Sequence, residues 1–254
     1  MTPRLEMVAV SDRGMLRAGN EDHVAVNPAI GLAVLADGMG GHNAGEVASG
    51  MAGESIVADA LATVDPAAAL DADAAQSLIR LHVRSANDRI HAASLASRER
   101  RGMGTTVVAA LWHDGQVTVG HVGDSRLYRL RDSELTRLTR DHTLIQQGID
   151  AGTLTVGQAR VAPGRNILTR ALGTEDNVDV DLATHDAQAG DLYLLCSDGL
   201  TEMLDDDEIA RVLTQRPATL REPADELVRL ANANGGVDNV SVVLVRAAVE
   251  STAT

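Results

Sequence analysis

The sequence predicts an α+β fold, in which two mainly antiparallel sheets stack between helix pairs as a four-layer α-β-β-α sandwich. Strand patterns in the middle of the chain are divided by tight-turn sequences such as HDG and RDS, which join antiparallel neighbours. Helical patterns occur in pairs between groups of strands, which argues against a Rossmann-like sheet. The sequence contains no internal repeat and no Pro/Gly/Ser-rich linker. One domain over residues 1–254 is therefore the simplest division.

The N-terminal half begins with three strand patterns and continues with two helices. The strands are expected over residues 5–11, 24–27 and 31–36, and the last of these, GLAVLA, has the apolar composition of a strand buried on both faces. The helices are expected over about 45–61 and 74–97. Apolar residues recur in the second helix at spacings of four and three, at Ile79, Val83, Ala86, Ile90 and Ala93.

The C-terminal half is mostly strands, followed by a second helix pair. Strands are expected over residues 105–112, 116–122, 125–130, 134–138, 178–182, 191–197 and 241–247. An irregular stretch at about 142–166 contains short helical pieces at 144–151 and 156–160. Helices are expected over 206–215 and 223–234, immediately before the last strand.

Composition and charge restrict the classes of function. The 254 residues include 36 acidic residues against 22 basic ones, which gives a net charge of −14. Electrostatic binding to nucleic acid or to anionic lipid is therefore disfavoured. All the basic residues are arginine, which excludes a catalytic lysine. A single cysteine, Cys196, cannot form an internal disulfide, and no apolar run approaches membrane-helix length. We expect a cytoplasmic, monomeric protein without nucleic-acid or membrane partners.

Acidic residues lie where apolar strands end. Asp37, Asp124 and Asp198 each follow a strand pattern, and Asp238 precedes the last one. Each residue taken alone is typical of a turn or a cap. If the strands are neighbours, however, the four carboxylates converge at one edge, where each raises the pKa of the others. Oxygen ligands without histidine or cysteine at zinc-site spacing favour Mg²⁺ or Mn²⁺.

The N-terminal segment SDRGMLRAGNED adds further charges to this set. Glu21 and Asp22 supply carboxylates, and Arg17 supplies a guanidinium suited to bidentate recognition of phosphate. A simple ion pair between arginine and a neighbouring acid is the alternative interpretation. Beside a dinuclear metal site, the combination favours a phosphate ester as substrate.

These motifs, in order, resemble the bacterial branch of the metal-dependent serine/threonine protein phosphatases, the type 2C family. The segments that carry the resemblance are SDRGMLRAGNED, ADGMGGH, MGTT, HVGDSR, DHT, CSDG and GGVDNVSVV. They extend from about Met7 to Val245. The resemblance implies a β-sandwich flanked by helices, with a dinuclear Mn²⁺ or Mg²⁺ centre at one end.

The resemblance also implies a role for each motif residue. Asp37 matches the ligand shared by both metals, Gly38 offers its backbone carbonyl, and Asp198 and Asp238 complete the pair. Asp124 matches a ligand of the third, weaker ion of bacterial members, which it shares with Asp198. Asp22 and Glu21 match the carboxylates that hold metal-bound water. Arg17 matches the arginine that binds phosphate.

The sequence departs from the eukaryotic branch at the residue after Gly38, where Met39 replaces a histidine that protonates the leaving group. His42 is a candidate substitute, with helix capping or an exposed loop as the alternative. Thr105 and Thr106 are candidates to hydrogen-bond a carboxylate. The stretch at about 142–166 corresponds to the family's flap, a variable lid beside the site.

The expected function is therefore hydrolysis of phosphoserine and phosphothreonine in proteins by a metal-activated water, reversing a bacterial Ser/Thr kinase. The expected catalytic residues are Arg17 and Asp22. The expected partners are phosphorylated proteins. Two alternatives remain open: a regulatory pseudophosphatase that binds without turnover, and a phosphatase dedicated to a single phosphorylated regulator.

Overall fold

A computed structural model describes residues 5–40, 44–159, 162–164, 166–215 and 219–247 of the chain. The strands are β1 (Leu5–Asp12), β2 (Asp22–Asn27), β3 (Leu32–Met39), β4 (Gly104–Thr105), β5 (Val107–His113), β6 (Gln116–Val122), β7 (Arg126–Arg131), β8 (Glu134–Arg137), β9 (Asp181–Asp186), β10 (Leu192–Cys196) and β11 (Val240–Ala247). The helices are α1 (Ala44–Thr63), α2 (Ala72–Ala96), α3 (Leu144–Asp150), α4 (Val156–Ala159), α5 (Asp198–Thr201), α6 (Asp206–Leu213) and α7 (Arg221–Ala233).

The strands form two sheets whose neighbours, where paired, are antiparallel. One sheet has the order β1-β11-β10-β7-β8, and the other has the order β2-β3-β5-β6-β9, with the short β4 paired to β3. The last strand of the chain, β11, thus lies between the first strand, β1, and β10. In this arrangement, β1 and β11, which are far apart in the sequence, pair with each other in one sheet.

Three apolar clusters fill the three interfaces of a four-layer structure. The cluster between the sheets contains Leu35, Trp112 and Tyr193, and the Trp112 and Tyr193 rings meet edge to face at 5.3 Å. A second cluster packs α1 and α2 on one sheet, and a third packs α6 and α7 on the other. These layers confirm the predicted α+β sandwich. In the described part of the chain, no helix is both long and apolar enough to cross a membrane.

The sequence placed one strand incorrectly. Residues 178–182 alternate apolar and polar side chains, but the strand that pairs with β6 is β9, which runs from Asp181 opposite His121 to Asp186 opposite Gln116. Val178 and Val180 pack against the α1–α2 layer outside the ladder, which Leu182 joins opposite Gly120. The apolar and polar alternation over residues 178–182 therefore reflects side-chain packing. The backbone hydrogen bonds to β6 are made by the more polar segment β9, at the edge of the sheet.

Candidate metal centre

The sheet register brings acidic residues from distant parts of the sequence to one edge of the sandwich. Asp22 at the start of β2 pairs directly with Asp37 near the end of β3. Asp198 follows β10 and Asp238 precedes β11, and these strands are neighbours. Asp124 lies in the turn between β6 and β7. The chain thus places five carboxylates at the ends of adjacent strands.

The electrostatics of these carboxylates show that they share one environment. Burial raises the pKa of Asp37 well above its usual range, and the charges of Asp22, Asp198, Asp124 and Asp238 raise it further. Burial likewise raises the pKa of Asp198, with the charge of Asp124 as the next cause. Burial raises the pKa of Asp22 and of Asp124 to about 6 in each case. A cluster of this kind is stabilised by cations.

Asp22 provides a direct test of whether a cation fits. Its Oδ2 atom accepts a hydrogen bond from the Ser197 hydroxyl at 2.9 Å. Its Oδ1 atom is buried and has no hydrogen-bond partner among the described residues. A buried carboxylate oxygen without a donor is unfavourable unless a positive charge compensates it. The oxygen-rich donor set and the orphaned atom both fit a hard divalent cation such as Mn²⁺ or Mg²⁺.

Gly38 and Glu21 lie on the side of the cluster where β3 meets α1. The Gly38 amide donates to the Glu21 carbonyl at 3.0 Å, and a Cβ on Gly38 would overlap the Gly45 carbonyl oxygen. A side chain at position 38 is therefore excluded by the backbone of α1. The Glu21 carboxylate lies beside Gly45, and burial raises its pKa.

Two threonines hold the main chain of Asp37 in place. The Thr105 hydroxyl donates to the Asp37 carbonyl at 2.9 Å, and the Asp37 amide donates to Thr106 Oγ1 at 3.1 Å. Thr106 Oγ1 also lies 2.7 Å from the Ser125 hydroxyl, next to Asp124. A strand does begin here, as β4, and the described contacts of these two threonines to Asp37 are with its backbone and not with its carboxylate. They connect the Asp37 strand to the Asp124 turn.

Arg17 is paired with one of the candidate ligands. Its Nη2 atom lies 2.5 Å from Asp238 Oδ2, and its side chain is 50% exposed. The other oxygen, Asp238 Oδ1, accepts the Asn239 amide at 2.8 Å. The guanidinium is thus held at the carboxylate cluster while remaining accessible from solvent.

Asn239 is the positioning residue that the sequence analysis missed. Its side-chain amide donates to the carbonyls of Arg13 (2.8 Å) and Gly19 (2.9 Å), and its Oδ1 atom accepts the Glu21 amide at 2.8 Å. The loop that carries Arg17 is therefore tied at both ends to the residue beside Asp238. The sequence contained one signal, since Asn239 directly follows a candidate ligand.

Replacing Asn239 by alanine is expected to destabilise the protein by about 3 kcal/mol, because this buried side chain makes three hydrogen bonds to backbone groups that the alanine cannot make. Urea unfolding measures the change. Asn177→Ala, at an exposed position, is the matched control. Equal free energies of unfolding for the two variants would contradict the role of Asn239.

A cleft of about 640 Å³ adjoins the carboxylates. Asp124 and Asp198 line this cleft together with α3, which forms one wall, and with the segment after α5; the other lining residues include Thr143, Ile145, Gln146, Ile149, Glu202, Met203 and Asp205. The stretch proposed as the flap thus forms one side of an open cleft beside the site, although residues 160, 161 and 165 are not described.

Two other residues considered in the sequence, Cys196 and His42, are not part of the described carboxylate cluster. Cys196 is fully buried, and burial raises the pKa of its thiol to about 12, so it is a core residue. His42 lies outside the described residues.

A separate group, His121, His142 and Asp181, has potential ligand atoms within 4.8 Å of one another. Hydrogen bonds already use one nitrogen of each histidine, to the Arg140 carbonyl and from the Gly123 amide.

Comparison with known proteins identifies the family. A family model described as protein phosphatase 2C matches residues 18–233. Serine/threonine protein phosphatase PstP of Mycobacterium tuberculosis is 43% identical over 242 residues, covering 94% of this chain and 44% of that protein. This chain thus spans less than half the length of PstP. Serine/threonine phosphatase stp of Listeria monocytogenes is 40% identical over 241 residues, with 92% and 93% of the two chains covered.

Solved structures give the same result. The crystal structure of M. tuberculosis PstP matches with a TM-score of 0.86 at 39% identity, over 96% of this chain and 99% of that one. A structure of the PstP catalytic domain in complex with two manganese ions matches with a TM-score of 0.84, also at 39% identity and the same coverage. These findings confirm the resemblance drawn from the motifs: the chain belongs to the protein phosphatase 2C family.

Proposed function

We propose that this chain hydrolyses phosphoserine and phosphothreonine in proteins, with Mn²⁺ or Mg²⁺ as cofactor. The observation that carries the proposal is the convergence of Asp22, Asp37, Asp124, Asp198 and Asp238 at one edge of the sandwich, in a chain of this family. A second support is the Arg17 guanidinium, which lies at the same edge.

The residues that would hold the cations lie at the ends of β3 and β10 and just before β11, at the edge where the carboxylates cluster. We assign Asp37, Asp198, Asp238 and the Gly38 carbonyl to two ions. Asp124 and Asp198 would hold a third, weaker ion, and Asp22 and Glu21 would orient water around the pair. When bound, such ions polarise phosphoryl oxygens and lower the pKa of a coordinated water.

Substrate binding at this edge depends on those cations. A phosphate monoester is anionic, and the carboxylate cluster alone would repel it. Arg17 supplies a bidentate donor for the phosphate, and its pairing with Asp238 holds the guanidinium at the cluster before substrate arrives. The Ser197 hydroxyl fixes the orientation of Asp22 from the other side. The chain's own groups thus place one positive and several negative charges around the reacting phosphate.

The open cleft suits a polypeptide substrate rather than a small metabolite. Its lining includes Asp124, Asp198 and residues of α3, and its volume of about 640 Å³ leaves space for the residues that flank a phosphorylated side chain. We propose that the partners are proteins phosphorylated by a bacterial Ser/Thr kinase, and that residues 1–254 act as a single, monomeric catalytic domain in the cytoplasm, with a flap at about 142–166.

A phosphopeptide panel assayed with Mn²⁺, Mg²⁺ and chelator tests the proposal. We expect release of phosphate from phosphoserine and phosphothreonine peptides only when a divalent ion is present. Metal binding without turnover, measured on the same preparation by calorimetry, would instead indicate a pseudophosphatase. Turnover of a single phosphoprotein but of no peptide would indicate a dedicated phosphatase.

The Arg17→Ala variant is expected to raise KM for phosphopeptides by about tenfold, with a smaller effect on kcat, because the guanidinium binds phosphate in the ground state. Steady-state kinetics at saturating Mn²⁺ measures both constants. Arg13→Ala, on the same exposed loop, is the control. An unchanged KM in Arg17→Ala would refute the assignment.

A further inference from the structure

The segment between His142 and Thr169 leaves and rejoins the sandwich at one point, which we call the flap base. The Thr169 amide donates to the His142 carbonyl at 2.8 Å, and the Leu144 amide donates to the Ile167 carbonyl at 3.0 Å. Thr143 and Leu168 form an isolated antiparallel bridge between these bonds. The wall of the cleft formed by α3 therefore begins directly at the flap base.

A single carboxylate contacts both strands of the flap base. Asp181, the first residue of β9, lies with Oδ2 3.2 Å from His142 Nε2 at the entry. Its Oδ1 atom accepts a hydrogen bond from Arg170 Nη1 at 2.6 Å at the exit. Asp181 lies in the segment 178–182, where the sequence predicted a strand that in the structure begins only at Asp181.

The hydrogen bonds around His142 assign its proton. His142 Nδ1 accepts the Gly123 amide at 3.0 Å, so the neutral imidazole carries its proton on Nε2, facing Asp181. The ring is 6% exposed and stacks on His121 at 4.6 Å between centroids. Burial lowers the pKa of both histidines, which favours the neutral forms.

The same histidine holds the turn that carries Asp124. The His142 amide donates to the Gly123 carbonyl at 2.9 Å, so Gly123 is bonded to His142 through both its amide and its carbonyl. On the other side of the turn, Arg126 forms a bidentate pair with Asp141, the residue before His142. Residues 141 and 142 thus bracket Asp124 from both sides.

The near-parallel rings argue against a metal ion in this group. Imidazole lone pairs lie in the ring plane, and the His121 and His142 planes are only 18° apart and stacked, so both rings cannot direct a lone pair at one ion. The Arg170 guanidinium, bonded to Asp181, adds a positive charge at the same place. A clamp, in which Asp181 accepts a hydrogen bond from Arg170 and lies 3.2 Å from His142 Nε2, accounts for the arrangement.

We propose that Asp181 is a positioning residue that closes the flap base and, through His142, aligns the α3 wall of the cleft with the Asp124 turn. The proposal rests on the proposed function for its kinetic consequence, but its structural consequence is independent of activity. A substrate long enough to touch the α3 wall depends on the clamp. A small phosphate ester that occupies only the carboxylate edge does not.

Asp181→Asn tests the proposal, with Asp179→Asn as the matched control. The substitution keeps the shape of the side chain but removes its charge, whereas Asp179 is exposed and contacts Arg170 through its backbone carbonyl. We expect amide hydrogen exchange at Leu144 and Thr169 to accelerate about fivefold, since the substitution weakens both the partly exposed ion pair with Arg170 and the contact between the carboxylate and the neutral His142. At saturating Mn²⁺, KM for a phosphopeptide should rise by a similar factor, and kcat/KM for para-nitrophenyl phosphate should change less than about twofold.

Two outcomes would overturn the proposal. One is unchanged exchange at Leu144 and Thr169 in Asp181→Asn. The other is an equal loss of activity toward both substrates together with a lowered Tm, which would indicate general destabilisation. Arg170→Gln releases only the exit contact and is expected to give an intermediate rate of exchange. Because exchange needs no turnover, a failure of the proposed function would leave this readout intact.

Discussion

Asp37→Asn is expected to reduce phosphatase turnover by about a thousandfold while leaving the fold intact. Asp37 is the carboxylate on which the charges of Asp22, Asp198, Asp124 and Asp238 all act, so it occupies the centre of the cluster. An amide in its place removes a charge that the cations need and weakens their binding, at a cost of several kcal/mol in transition-state stabilisation. Phosphate release from a phosphothreonine peptide at several Mn²⁺ concentrations measures the loss.

The control for this substitution is Asp88→Asn, on the exposed face of α2. It makes the same chemical change away from the edge of the sandwich and is expected to leave kcat and KM unchanged. Circular dichroism of Asp37→Asn should match that of the wild type. Activity above about a tenth of the wild-type value in Asp37→Asn would show that Asp37 is not essential to the metal centre.

Asp198→Asn is expected to raise the Tm of the metal-free protein at pH 8 by roughly 5 °C, although it should also abolish turnover. Burial and neighbouring carboxylates raise the pKa of Asp198 well above its usual range, so its ionised form destabilises the folded state. Relieving a buried, uncompensated charge is worth about 2 kcal/mol or more. For a chain of this size, that corresponds to several degrees in Tm.

The dependence on pH has a definite sign. A carboxyl whose folded-state pKa is raised binds more protons when folded, so its contribution to stability falls as pH rises from the unfolded pKa, near 4, through the folded pKa. Near pH 4 the carboxyl is neutral and resembles asparagine. The Tm advantage of Asp198→Asn over wild type in chelator should therefore shrink as pH falls from 8 toward 4.

Comparison of variant with wild type is needed because other groups titrate in the opposite sense. Burial lowers the pKa of His82, His121, His142 and His185, and these histidines favour folding as pH rises. They are common to both proteins, so they cancel in the difference. Saturating Mn²⁺ should raise the Tm of wild type more than that of Asp198→Asn. A Tm advantage that is the same at every pH would rule out charge repulsion as its cause.

The general architecture and the positions of the acidic residues could be predicted from the sequence, because both depend on local patterns. The apolar runs before Asp37 and Asp198 predict that these strands are buried, and the aspartates indicate about where the strands end. The helix pairs follow from side-chain periodicity. The irregular composition of residues 142–166 predicted a variable segment, and the family resemblance implied that this segment lies beside the site.

The contacts that position the site could not be predicted in this way, because their partners lie far apart in the sequence. Asn239 binds carbonyls more than 200 residues away, and nothing local distinguishes it from a turn asparagine. Asp181 fell in a segment whose apolar alternation suggested a strand three residues too early. Its two partners, His142 and Arg170, are far apart in the sequence, and the fold of the flap base brings both of them to Asp181.

The position of β11 inside its sheet has a consequence for biosynthesis. Because β11 is inserted between β1 and β10, a ribosome must release this strand before the sheet can be completed. A nascent chain that stops short of it lacks Asp238 and the partner of Arg17. Non-local pairing of this kind is slow to form. The enzyme should therefore be inert until β11 has left the ribosome, and it gains its activity only when that strand is inserted.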